Sequence, residues 1–225
     1  MKKIYAIALA AALLLVGTQA KAQLSVGAGY LFSQEITRVN NGDPTKEGLH
    51  GFYAGASYNL HLVAGLGVAP GFYVNMLFGM DDANIGNARL GENINAQFSE
   101  LALNIPVKLN YRFNFGRDNA FIIFAGPVFQ YGVMSQTKYT GTFNADLGII
   151  KINDTQRYTY NHYKGDDKFK PDANPFNLYL GGGLGVQLGD FQLFVAYDHS
   201  MLNCSKLENT KTVRSQIKGG VALSF

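Results

Sequence analysis

The chain has 225 residues, with 19 basic and 16 acidic side chains, one cysteine and no tryptophan. So small a charge excess gives no case for nucleic acid as a partner, and a lone Cys204 excludes an internal disulfide framework. Twenty-six glycines with 16 Phe and 13 Tyr suit a single small β-domain better than a helical one.

At the start of the chain, Lys2 and Lys3 precede an apolar run over residues 4–16, and Ala20, Lys21 and Ala22 form an A-x-A cleavage site. Residues 1–22 therefore read as a secretory signal peptide and residues 23–225 as the mature domain. The apolar run is shorter than the roughly 20 residues a bilayer helix needs, and no later run is longer, so any membrane crossing is made of strands. No cysteine follows the cleavage site to carry a lipid anchor. Three of the 19 basic residues leave with the peptide, so the mature domain has 16 of each sign.

Eight stretches alternate with the period of two that marks a strand: residues 23–33, 49–59, 62–76, 98–113, 120–134, 176–188, 191–200 and 212–225. Each can cover the roughly 9–11 residues of a tilted membrane strand. Tight turns near Leu60, at 114–119 and at Gly189 and Asp190 alternate with long connections at 34–48, 77–97, 135–175 and 201–211. Short turns on one side and long loops on the other are the pattern of outer-membrane barrels. The expected fold is all-β, an eight-stranded antiparallel transmembrane β-barrel in an up-and-down meander.

The faces carry the argument. The fourth strand sets Leu101, Leu103, Ile105, Val107, Leu109, Tyr111 and Phe113 against Glu100, Ala102, Asn104, Lys108, Asn110 and Arg112. A lysine or arginine facing mid-bilayer lipid costs about 2–4 kcal/mol, so Lys108 and Arg112 are expected to point inward. A soluble barrel would alternate in the same way with its oily face inside; the aromatics distinguish the two. On the oily face Tyr30, Phe129, Tyr131, Phe176 and Tyr197 gather toward the loops, and Tyr58, Tyr111, Phe113, Phe121, Phe191 and Phe225 toward the turns. Two such girdles flanking an aliphatic band fit a bilayer. Phe124 and Phe194 fall on the inward parity. Pro70, Pro106 and Pro127 interrupt three consecutive strands at about one level, where bulges are expected.

The run Leu103, Asn104, Ile105, Pro106, Val107, Lys108, Leu109, Asn110, Tyr111 resembles a strand pattern of the small outer-membrane β-barrel family of Bacteroidetes-type bacteria, related in architecture to OmpA-like and OmpX-like barrels. Lys108 stands where an aliphatic is commoner, and Asn110 where the family has a base. The resemblance implies residence in the bacterial outer membrane, contact with its lipid, and a terminal Phe225 read as an insertion signal by the outer-membrane assembly machinery. It implies nothing about activity.

An eight-stranded barrel is filled by its own side chains, so the inward charges Glu100, Lys108, Arg112, Asp198, Arg214 and Lys218 are expected to form a polar network in the lumen. Counting across the last hairpin sets Asp198 opposite Arg214 as an ion pair. The alternative function, a rim-sited lipid A hydrolase, would draw on Asp198, His199 and Ser200, but strand neighbours His199 and Ser200 point to opposite faces. A narrow ion or solute channel is a further alternative. His50, His61 and His162 lack zinc-ligand spacing. Gly181, Gly182, Gly183 and Gly185 lack a phosphate-loop Lys, and Asp81, Asp82, Asp166 and Asp167 read as solvated loop acids. No metal, cofactor or catalysis is expected. The loop 135–175 is the expected place for a protein ligand, with 138–143 and 156–163 alternating as a Tyr-rich hairpin whose edge could accept a partner strand.

Overall fold

The computed structural model describes residues 22–40, 42–87, 90–116, 118–146, 151–166 and 169–225, and the side chains of these except 22, 81–93 and 143–154. The expected signal peptide, apart from the backbone of Ala22, lies outside the described residues. So do Asp167 and the side chains of Asp81 and Asp82.

Nine strands follow one another: β1 (Ala22–Val39), β2 (Thr45–Val63), β3 (Leu66–Asn87), β4 (Leu90–Asn114), β5 (Asn119–Asp146), β6 (Lys151–Asn161), β7 (Phe176–Leu188), β8 (Phe191–Ser200) and β9 (Thr210–Ser224). The order β4-β3-β2-β1-β9-β8-β7-β5 closes on itself through β4–β5 pairing, all antiparallel. These eight staves are the barrel foreseen from the alternation. The ninth strand, β6, lies outside the ring along the loop-side half of β5, where Lys138 faces Thr159 and Phe143 faces Asp154. This is the Tyr-rich hairpin of the long loop.

Much of the second and third long connections is also strand. β3, β4 and β5 run together up to Leu90↔Ala145, 13 residues beyond the girdle pair Leu103↔Tyr131. That is about 40 Å measured along the strand. The first tight turn lies at Ala64 and Gly65 rather than near Leu60. Both residues have positive φ, 50° and 85°, as a two-residue hairpin requires, and Gly65 supplies one of them without a Cβ penalty.

All eleven girdle aromatics are exposed on the outside, and Leu24, Val26, Ile105, Leu109, Ile123, Leu180, Leu184, Leu193, Val195 and Val221 make an aliphatic band between them. Rings pair within the girdles, as Tyr30 with Phe52 at 6.2 Å and Tyr111 with Phe113 at 4.6 Å.

The prolines interrupt the ladders without displacing them. Pro106 pairs Val128 and Leu109 pairs Ala125 on one continuous register, although the positions between them are unpaired. The expected bulges are therefore gaps, because a missing N–H removes a bond but adds no residue. The register shifts that do occur lie elsewhere, one between His61 and Val63. The other makes Val133 an extra residue between Leu101↔Met134 and Ala102↔Gly132. This second shift exchanges the faces of β5: Ile122, Val128 and Gln130 are buried below it, Ser135 and Thr137 above it.

Inside, Leu31, Leu49, Tyr53 and Leu77 form an apolar knot with Tyr73, Phe98 and Phe194. Phe124 joins it, 6.3 Å from Phe194. Rings fit because glycines face them: a Cβ on Gly29 would stand 2.6 Å from the Tyr53 hydroxyl, and one on Gly183 2.6 Å from Phe124 Cζ.

Candidate functional site

The inward charges divide into two clusters. In the first, Lys108 on β4 stands opposite Gly126 by the register of the flanking pairs; Gly126 faces Gly181 on β7, and Gly181 faces Asp198 on β8. The lysine lies across both glycines. Its Nζ donates to the Gly126 carbonyl at 3.0 Å, the Gly181 carbonyl at 3.2 Å and Asp198 Oδ1 at 2.8 Å. Lys218 on β9 donates to Asp198 Oδ2 at 3.0 Å. Asp198, 2% exposed, thus holds two ammonium groups. Gly181 leaves room for this strap, since a Cβ there would overlap Asp198 Oδ1.

The second cluster lies toward the loops. Arg214 on β9 faces Glu35 on β1 and donates to Glu35 Oε2 through Nη2 at 2.7 Å. Its Nη1 donates to both oxygens of Glu100 on β4, at 2.8 and 2.9 Å. Glu100, 3% exposed, comes from the opposite wall, so the guanidinium is a strut across the lumen. Sequence reasoning missed Glu35, which it left in a loop; the polar parity Ser33, Glu35, Thr37 on an extending β1 was the available signal.

The expected Asp198–Arg214 pair does not form. Asp198 faces Gln216, so the hairpin is offset by two residues, and each charge takes other partners. A slip of two keeps every side chain on its face, so alternation cannot detect it. Arg112 stands apart near the turns, with Nη1 3.5 Å from Gln23 Oε1. All six sequence-selected charges therefore line the interior, but as two clusters and an outlier.

The rim trio is not assembled. Asp198 is held by lysines inside, and Ser200 Oγ accepts from the Arg214 amide at 3.1 Å. His199 Nδ1 lies 2.9 Å from Ser215 Oγ, which also accepts from the Tyr197 hydroxyl at 3.1 Å. No acid joins this contact among the described bonds.

Two cavities flank the struts. One of about 140 Å³ lies toward the turns, among Tyr53, Asn75, Asn104, Asn110, Lys108 and Lys218. The other, about 570 Å³, is a vestibule among the loops, floored by Glu35, Glu100 and Arg214. The returning loops are tied over it: Asn174 Nδ2 donates to the carbonyls of Asn203 and Ser205 at 3.0 and 3.1 Å, and Ala173 bridges Ser205. His162 lies 2.7 Å from Thr137 Oγ1 and 3.0 Å from Asp172 Oδ1. No group of three or more potential metal ligands occurs among the described residues.

Cys204 lines the vestibule and accepts from Asn177 Nδ2 at 2.9 Å. Burial pushes its thiol up, keeping it protonated at neutral pH. Iodoacetamide at pH 8 is expected to modify the folded protein about tenfold or more slowly than the urea-unfolded chain, as read by mass spectrometry. Equal rates would show the thiol open to solvent.

No family model and no curated protein sequence matches this chain. Among solved structures it is similar to Ail, the attachment invasion locus protein of Yersinia pestis, in complex with the heparin analogue sucrose octasulfate. The identity is 12%, over 91% of this chain and 99% of that one, with a TM-score of 0.34. Neisserial surface protein A is 12% identical over 90% and 97% of the two chains, TM-score 0.38. The outer membrane protease OmpT from Escherichia coli is 9% identical over 92% and 97%, TM-score 0.31. Overlaps this low leave the fold resting on the chain's own strand pairing.

Proposed function

We propose that this is an integral protein of the bacterial outer membrane whose work is structural or surface-binding, carried by the wall of strands above the loop-side girdle. It has no cofactor and no chemistry of its own. The supporting observation is the exterior. Soluble monomers rarely expose contiguous apolar patches above a few hundred Å², whereas here an aliphatic band between two aromatic girdles encircles the barrel. Lipid is its natural neighbour. Phe225 donates its amide to the Leu24 carbonyl at 2.7 Å with its ring exposed, which sets it in the turn-side girdle. The cross-lumen strut and apolar knot argue against an open channel.

For binding, the outer edge of β6, which pairs with no second strand among the described residues, is the supporting feature. The His162 amide donates to the Ser135 carbonyl, so by alternation Tyr158 and Tyr160 turn their amides toward β5 while Arg157 and Thr159 turn theirs away. An extended protein segment can add there, beside the stacked Tyr139 and Tyr158 rings. Thr159→Pro removes an outward donor and leaves the β5 ladder intact. In a flow cell over protein-coated glass, cells carrying Thr159→Pro, or lacking residues 138–170, are expected to attach several-fold less than cells with the native chain. Gel migration of unboiled samples monitors folding. Unchanged attachment by both variants would overturn the binding reading.

A further inference from the structure

We propose that the turn-side cavity is a binding site for a small protonated oxyanion, with dihydrogen phosphate the best fit. Charge is the first ground. Lys108 and Lys218 share the single carboxylate of Asp198, which leaves one positive charge in excess in a buried site. An uncompensated charge away from bulk water is expensive, and a monovalent anion removes that cost.

The polar atoms supply the second ground. The Tyr53 hydroxyl and Asn75 Nδ2 are buried, line this cavity and have no hydrogen-bond partner among the described residues. Tyr53 is 4% and Asn75 2% exposed, so neither is satisfied from the surface. Together with the ammonium of Lys218 they offer donors to anionic oxygens. Asn104 Oδ1 lines the same cavity, is likewise buried, and is an acceptor without a partner among the described residues. A bare anion cannot satisfy an acceptor. An oxyanion that keeps O–H groups can, and dihydrogen phosphate carries two of them with a single negative charge. A volume of about 140 Å³, against roughly 30 Å³ for a water, holds an ion of five heavy atoms.

The donor–acceptor mixture predicts discrimination. Sulfate matches phosphate in size but has no proton to give at neutral pH, so it leaves the Asn104 oxygen unpaired. The test is calorimetric titration of the full barrel, folded in a phosphate-free detergent with gluconate as background anion, at pH 6. Inorganic phosphate is expected to bind saturably at one site, and sulfate about tenfold or more weakly. Lys218→Met, which leaves Lys108 and Asp198 as a balanced pair, is expected to lose phosphate binding about tenfold or more while keeping the folded gel mobility. If that variant does not fold, Tyr53→Phe, expected to weaken binding several-fold, takes its place. Absence of saturable phosphate binding by the native barrel, equal affinity for sulfate, or undiminished binding by the folded variants would overturn the proposal.

Discussion

Arg214→Met is expected to lower the stability of the barrel by about 3–5 kcal/mol, the cost of leaving a buried carboxylate without its partner. Glu100 is the group stranded, since it is 3% exposed and both its oxygens rest on Arg214 Nη1. Glu35, one-quarter exposed, regains some solvent and contributes less. Urea unfolding in phospholipid vesicles, followed by gel mobility, measures the change. Because the strut is a pair across the lumen, Arg214→Met combined with Glu100→Gln should recover part of the loss. Groups in contact couple by about 0.5–3 kcal/mol, whereas Arg214→Met with Asp198→Asn should be nearly additive. Coupling to Asp198 instead of Glu100 would restore the hairpin register that the two-residue offset excludes.

That offset illustrates what is legible in a barrel sequence. Facing is legible, because a period of two writes it at every position: Lys108 and Asp198 inward, Leu109 and Tyr197 outward, as the structure has them. Pairing is not, because Asp198 opposite Arg214 and Asp198 opposite Gln216 bury the same faces. Nor does composition betray the bulge at Val133, which lets Ser135 and Thr137 continue the interior after Gln130. Strand ends fail for a related reason. Beyond the girdles the outer face is no longer a continuous oily band, so the alternation that locates a strand fades there. Glu35 was lost in this way, and with it half of the Arg214 site. The orphaned atoms of Tyr53 and Asn75 were beyond reach, since they follow from how rings and amides pack across five or more strands.

Glycines make the same distinction testable. Gly181 and Gly219 are both strand residues, and a sequence gives each the same penalty for its missing side chain. Their surroundings are opposed. A Cβ on Gly181 would overlap Asp198 Oδ1 and the Tyr197 carbonyl, whereas one on Gly219 meets nothing within 4 Å. Gly181→Val must push Asp198 off the strap, separating it from Lys108 and leaving two ammonium groups without their carboxylate. The expected cost is again about 3–5 kcal/mol, by the mechanism of a broken buried pair. Gly219→Val only adds a branched apolar side chain to the outer face, and should stay within about 1 kcal/mol of the native barrel, on the side of greater stability. Unfolding midpoints of the two variants in the same vesicles decide it. Equal losses would mean that Gly181 serves backbone geometry alone, and that the lysine reaches Asp198 by a path the added side chain does not block.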